Sequence, residues 1–285
     1  MEPDLVEIFG SYMSWKTTED TWIINAMGGS QNMYLLEGED RALLIDTLWG
    51  AGNLRAHVET LTKKPVTVIN THGHLDHSGG NGEWEEVLML AGAIPDVETC
   101  YRSPFDVTKL PHPDYKKTVV KDGDTIDLGG RVVEIIDITA HSNGSLALLD
   151  RKGRQIFVGD ELESAQVLMY EVEETRKIEG RPAFVLKDRL LRHHANTKKL
   201  LALREHWDIV YPAHNGAPIA PSYIEDYAAL VEHIFAGDAV IEDKLNHKYI
   251  EQDNPNHGLC RVRWNKASFF VNKADLMALW GSHAL

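Results

Sequence analysis

VINTHGHLDHSGGN, residues 68–81, places three histidines and an aspartate (His72, His74, Asp76, His77) within six positions. The preceding run PVTVIN (65–70) has the apolar density of a fully buried strand. Gly79 and Gly80 follow, where the chain must turn. In extended backbone His72 and His74 face one side, because side chains alternate with period two. Two imidazoles converging on one point suit a metal ion. Asp76 and His77 are adjacent and point differently, so this pair suits a second ion nearby. The hard anionic oxygen of an aspartate helps hold two divalent cations close together. A lone histidine is more often a satisfied polar side chain than a ligand. Four such groups at the end of a buried strand are a different case. Without a cation they would suffer repulsion or desolvation.

Further ligands must come from elsewhere. His141 ends RVVEIIDITAH, Asp160 ends RQIFVGD and His214 ends DIVYPAH. Each follows an apolar β-like run, and in sheets with parallel strands, sites gather at the carboxyl ends of strands. One edge is therefore expected to present His72, His74, Asp76, His77, His141, Asp160 and His214 together. The other histidines (His57, His112, His193, His194, His206, His233, His247, His257, His283) read as surface or structural residues.

The wider pattern is mixed α/β. TWIINA (21–26), NMYLLEG (32–38) and RALLIDT (41–47) read as consecutive hairpins separated by turns. AGNLRAHVETLTKK (51–64) has helical spacing at Leu54, Val58 and Leu61, and the strand at 65–70 follows it. That β-α-β order implies a parallel pair. Strands are expected in EVLMLAG (86–92), in 117–139, in GSLALLD (144–150) and in RQIFVGD (154–160). Residues 182–207 read as a helix. So do residues 221–238, with Ser222 as N-cap and Gly237 as C-cap. The tail carries KYIEQ and LCRVRW as strands, then a weak helix. No internal repeat marks a boundary. The chain reads as one domain over 1–285, with 161–207 and 221–285 as helical and C-terminal additions near the substrate pocket.

Composition narrows the function. The 285 residues carry 29 Lys and Arg against 43 Asp and Glu, a formal charge of −14. A field of that sign repels phosphate backbones, so no nucleic-acid partner is expected. MEPDLVEIFG has no basic region followed by an apolar stretch, and no apolar run reaches membrane-spanning length. The two cysteines, Cys100 and Cys260, form no CxxC pair and suit a reducing compartment. The expectation is a cytoplasmic protein without a membrane partner.

THGHLDH resembles the HxHxDH signature of the metallo-β-lactamase fold superfamily, and AHSNGS, FVGDELES and PAHNG resemble its later histidine, aspartate and histidine motifs, in the same order. The resemblance implies a four-layer αβ/βα sandwich with metals at one edge between two sheets. It implies that His72, His74 and His141 bind one ion and Asp76, His77 and His214 a second, with Asp160 bridging. Two divalent ions are expected, zinc before manganese or iron. The secreted β-lactamases with a cysteine ligand would carry it at Asp160, and the flavodiiron branch has a carboxylate where this chain has His74.

What remains is similar to the hydroxyacylglutathione hydrolases and lactonases. The implied function is dinuclear hydrolysis of a small ester, lactone, thioester or amide by an activated water, with Asp76 orienting that water or moving its proton. The alternatives are a phosphodiesterase, a mononuclear iron oxygenase or a non-catalytic metal-binding module. Asp46, Thr71 and Ser142 are the expected supports of the ligands. Tyr170, Arg181, Arg192, His193, His194, Arg261 and Arg263 are candidates for a small-molecule pocket. The long connection 161–182 is expected to wall the entrance, and the tail to offer a homodimer contact.

Overall fold

Strands β1 (Tyr12–Thr18), β2 (Thr21–Ala26), β3 (Met33–Glu37), β4 (Ala42–Ile45), β5 (Val66–Ile69), β6 (Glu86–Leu90) and β7 (Lys116–Val120) form one sheet in chain order. The computed structural model describes residues 10–27, 29–99, 114–171, 179, 181–242 and 258–281. β1 to β4 are antiparallel hairpins, and β4 to β7 run parallel. The change occurs where helix α1 (Leu54–Leu61) carries the chain back over the sheet, since parallel neighbours need a crossover. Asn53 Oδ1 caps α1 by accepting the Ala56 N–H at 2.9 Å, and Leu54 and Val58 are the buried face.

A second sheet has the order β13 (Ile209–Pro212), β11 (Gln155–Gly159), β10 (Leu146–Asp150), β9 (Val132–Asp137) and β8 (Thr125–Asp127). Tyr34, Leu36, Leu43 and Ile45 of the first sheet pack against Ile135, Leu148, Phe157 and Tyr211 of the second. The opposite face of the first sheet places Leu35, Leu44 and Val68 against α1 and Val97 of α3 (Ile94–Thr99). The opposite face of the second places Leu149, Ile156, Val158 and Val210 against α4 (Leu186–Ala202) and α5 (Ser222–Ala236). Both faces of each sheet are covered, which is why their strands read as continuous apolar runs. The result is the expected αβ/βα sandwich. A third sheet, β12 (Val167–Leu168), β16 (Ala267–Asn272), β15 (Leu259–Trp264) and β14 (Val240–Glu242), joins α6 (Lys273–Gly281) beside α4 and α5.

A buried arginine next to β9, paired with an aspartate of β10, ties the second sheet to the first. Arg131 is 2% exposed; its Nη2 lies 2.7 Å from Asp150 Oδ2. Its Nη1 donates to the Asp20 carbonyl at 2.7 Å and the Glu37 carbonyl at 3.1 Å.

Several expectations shift. β1 was not foreseen, because YMSWKTT is a partly exposed edge with little apolar density. β16 was likewise missed, hidden in the expected weak helix. Helix α4 begins at Leu186 rather than 182, after extended residues that end at Val185. Ser222 is the first helical residue of α5, and Pro221 occupies the N-cap without a side-chain bond. Gly237 closes that helix at φ 78°, as expected. KYIEQ, Cys100, His112, His247, His257 and His283 lie outside the described residues. No helix among the described residues is long and apolar enough to cross a membrane.

Candidate metal centre

The HxHxDH stretch begins where β5 ends at Ile69. His74 holds extended backbone (φ −65°, ψ 148°), and the single helical turn α2 (Leu75–Ser78) starts straight after it. His72 lies in the bend after β5 and His74 in extended backbone, whereas Asp76 and His77 leave a helical turn and diverge. Only glycine fits at 73, since a Cβ there would sit 2.5 Å from the Ala93 carbonyl oxygen and 2.7 Å from Asp96 Cβ. The turn is held through the His77 carbonyl, which accepts from Thr47 N–H at 2.8 Å and Asn70 Nδ2 at 3.0 Å. At the end of β11, Gly159 takes φ 55° and turns Asp160 toward the same point.

All seven expected side chains come together. They form three groups whose ligand atoms lie within 4.8 Å of one another: His72, His74 and His141; His72, His77 and Asp160; Asp76, His77 and His214. His74 Nδ1 is 3.1 Å from His141 Nε2, and His77 Nε2 is 3.2 Å from His214 Nε2. Asp76 Oδ2 lies 3.2 Å from His214 Nε2 and 3.5 Å from His77 Nε2. Asp160 reaches both ends of the cluster, with Oδ2 3.7 Å from His141 Nε2 and 3.4 Å from His214 Nε2. Ligands about 2.0–2.1 Å from a tetrahedral zinc stand about 3.3 Å from each other, so these spacings fit an ion between the atoms.

The outward ring nitrogens have partners that fix the inward ones. His77 Nδ1–H donates to Asp46 Oδ2 at 3.0 Å, and His141 Nδ1–H donates to the Leu168 carbonyl at 2.8 Å. Thr71 Oγ1 donates to Asp46 Oδ2 at 2.7 Å, so it accepts from His72 Nδ1 at 3.2 Å. These partners take the outer nitrogens, which points Nε2 of His72, His77 and His141 toward the centre.

The electrostatics suit cations. Burial pushes His72 well below the ordinary histidine range, helped by the neighbouring His77 and His74 rings, so it offers a lone pair. Burial opposes ionisation of Asp76, but His77 and His214 hold that carboxyl well below its usual range. Burial likewise opposes charge on His77, yet Asp160, Asp76 and Asp46 raise it well above the ordinary value. The excess negative charge therefore draws protons where a cation would otherwise sit. Among the described residues, His72 Nε2 and Asp160 Oδ1 are buried without a hydrogen-bond partner. An ion would satisfy both, and the donor set of imidazoles and carboxylates matches zinc.

Of the expected supports, Asp46 and Thr71 touch ligands and Ser142 does not: its hydroxyl lies 3.0 Å from Ser145 Oγ. The pocket candidates are mostly engaged elsewhere. The Arg181 side chain is 7% exposed, with Nε 2.9 Å from Asp96 Oδ1 and Nη1 2.6 Å from Glu171 Oε1. His193 is buried against Tyr227 and Phe269. His194 pairs with Glu232 at 2.9 Å, and Arg261 and Arg263 both face Glu242. Arg192 is exposed on α4, and Tyr170 is half-buried. Two acids escaped the sequence reading. Burial raises Glu161 to about 7 and Glu163 to about 8, and Glu163 Oε2 accepts from Asn215 Nδ2 at 2.7 Å beside His214. Both follow Asp160 in ELES, a run that reads locally as plain solvated acid.

The chain is 30% identical over 161 residues to an acyl-coenzyme A thioesterase of Gallus gallus, covering 47% of this chain and 58% of that protein. It is 33% identical over 123 residues to a hydroxyacylglutathione hydrolase of Hyphomonas neptunium, covering 43% of each. The chain thus spans about half the length of the relatives it matches. Among solved structures, a metallo-beta-lactamase from Pontibacter korlensis superposes with a TM-score of 0.56 at 18% identity, covering 78% of this chain and 99% of the other. A Cronobacter sakazakii metallo-beta-lactamase with a HARLDQ motif gives 0.58 at 18% identity, over 82% and 97%. The family model described as the metallo-beta-lactamase superfamily matches residues 26–241, and the chain belongs to that superfamily.

Proposed function

We propose that this chain is a dinuclear metal-dependent hydrolase of thioesters of a small acyl group. The observation that carries the reading is the grouping of the ligands. His72, His74 and His141 share no member with Asp76, His77 and His214, and Asp160 stands between the two sets. Two sets and a carboxylate between them suit two ions. His72, His74 and His141 would hold one, Asp76, His77 and His214 the other, and Asp160 both. When bound, such ions supply Lewis acidity to a carbonyl oxygen and lower the pKa of a water toward neutrality.

The chain's own groups then orient and shuttle. Asp46 and the Leu168 carbonyl hold the rings of His77 and His141 in their working tautomers. Gln31 Nε2 donates to Asp76 Oδ2 at 3.3 Å, which fixes the carboxylate. Asp76 has the most exposed side chain of the seven, at 22%. Being the most open to solvent, it is the group whose other oxygen, Oδ1, would take the proton from water and pass it to the leaving sulfur. The thioester preference is supported by the relatives, whose names describe acyl groups carried on coenzyme A and glutathione, both thiols.

A panel of acyl-coenzyme A, acyl-glutathione, lactone, nitrophenyl acetate and bis-nitrophenyl phosphate tests it, with His74→Ala as control. Thioester turnover that His74→Ala reduces at least 100-fold is expected. Turnover of the phosphodiester alone would replace the reading with a phosphodiesterase, and no metal-dependent turnover at all with a binding module.

A further inference from the structure

Helix α4 buries Leu186, Arg189, Leu190, His193, Thr197 and Leu200 along one face. A guanidinium and an imidazole in that stripe are unexpected, because apolar residues would pack the helix without desolvating polar groups. Their partners explain them. Arg189, 4% exposed, donates through Nη1 to the Ala140 carbonyl and the Ser142 carbonyl, each at 3.0 Å, and through Nη2 to Asn143 Oδ1. Those two carbonyls flank His141. From the other side, Glu161 Oε1 accepts the Ala140 N–H at 2.9 Å and the His141 N–H at 2.6 Å. The peptide groups around His141 are therefore gripped by a guanidinium fork and a carboxylate together. One turn along the helix, His193 Nε2–H donates to the Glu161 carbonyl at 2.7 Å. That bond holds the residue next to Asp160.

We propose that Arg189 and His193 are positioning residues: one face of α4 sets the backbone that presents His141 and Asp160. The inference rests on the two-ion reading and extends it to a helix that supplies none of the seven ligands. Arg189 acts on the His72, His74 and His141 set, since its bonds hold the turn that carries His141. The planar fork sends Nη1 to the two carbonyls and Nη2 to Asn143 Oδ1, and an ammonium, a single point donor, does not reach all three at once.

Purified full-length wild type, Arg189→Met and Arg189→Lys are titrated with zinc against a chromophoric chelator, and the melting of each metal-free form is followed by circular dichroism. Wild type is expected to bind two equivalents. Arg189→Met is expected to weaken one equivalent about 10–100-fold, the range typical for groups that orient ligands, while the other moves less than about threefold. Arg189→Lys is expected to weaken the same equivalent by an intermediate factor. Wild-type affinity in both variants overturns the inference. So does equal weakening of both equivalents in step with a lower metal-free melting point, which marks a merely structural role. If Arg189→Met fails to fold, Arg189→Lys decides by the same criteria. A wild-type chain that binds no divalent ion overturns the two-ion reading and this inference with it. Two tight ions in every variant overturn the inference alone.

Discussion

Asp46 Oδ2 and His77 Nδ1 are 3.0 Å apart, and the same oxygen accepts the Thr71 hydroxyl at 2.7 Å. Oδ1 accepts the Thr71 N–H at 2.7 Å. One carboxylate thus orients a ligand ring and pins the strand end from which His72 leaves. Asp46 does so from φ 65°, a conformation that Asp and Asn tolerate and alanine resists. Asp46→Asn keeps the backbone but loses acceptor capacity on one side. It should fold and bind zinc about 10–100-fold more weakly. Zinc titration checks this; unchanged affinity would remove Asp46 from the account.

Metal removal should also be visible in stability. A ligand that binds only the native state, at 1,000 times its Kd, adds about 4 kcal/mol. For a chain of this size, about 2–4 °C accompanies each kcal/mol. Chelation should lower the melting point by roughly 10 °C, and added zinc should restore it. Identical melting with and without chelator contradicts the claim that the centre binds an ion.

Arg131 and Asp150 make a contrasting prediction. Both are buried, and Arg131, paired with Asp150 in the second sheet, reaches the Asp20 and Glu37 carbonyls of the first. Arg131→Met leaves Asp150 charged and unpaired, at about 3–5 kcal/mol. Denaturant unfolding should show that loss, with metal content per folded chain unchanged. A variant of normal stability and reduced metal content would reverse the assignment.

His193 gives a pH prediction. Burial drives its value from 6.5 down to about 4, opposed by its bond to the Glu161 carbonyl. Between those values the unfolded ring holds a proton that the native ring lacks, so stability rises with pH. The contribution is present above pH 6.5 and is lost as pH falls toward 4, on the order of 3 kcal/mol. His193→Phe removes that titration. In metal-free protein, the stability gap between wild type and His193→Phe should narrow from pH 7 to pH 4. Parallel curves would contradict it.

The ligands were legible because their signals are local. His72 and His74 are two apart, and His141, Asp160 and His214 each close an apolar run. What holds them was less legible, because it acts between distant elements through backbone atoms. His193 reads as a surface or structural residue, yet Leu191 is 48% exposed while His193 and Arg189 are buried. The inward stripe runs 186, 189, 190, 193, 197 and 200, and three of its six members are polar, so apolar periodicity does not trace it. β1 escaped for a related reason: an edge strand with Met13 49% and Trp15 46% exposed has no buried face to write an alternating pattern.

The central claim is two ions held by two ligand sets that meet at Asp160. Metal content per chain, measured by elemental analysis after zinc loading and gel filtration, tests it most directly when wild type is compared with His74→Ala and His214→Ala. The account predicts two equivalents in wild type and a loss of about one in each variant, with the other retained. Less than one equivalent of any transition metal in the wild type, or a single equivalent that His214→Ala leaves intact, would contradict it.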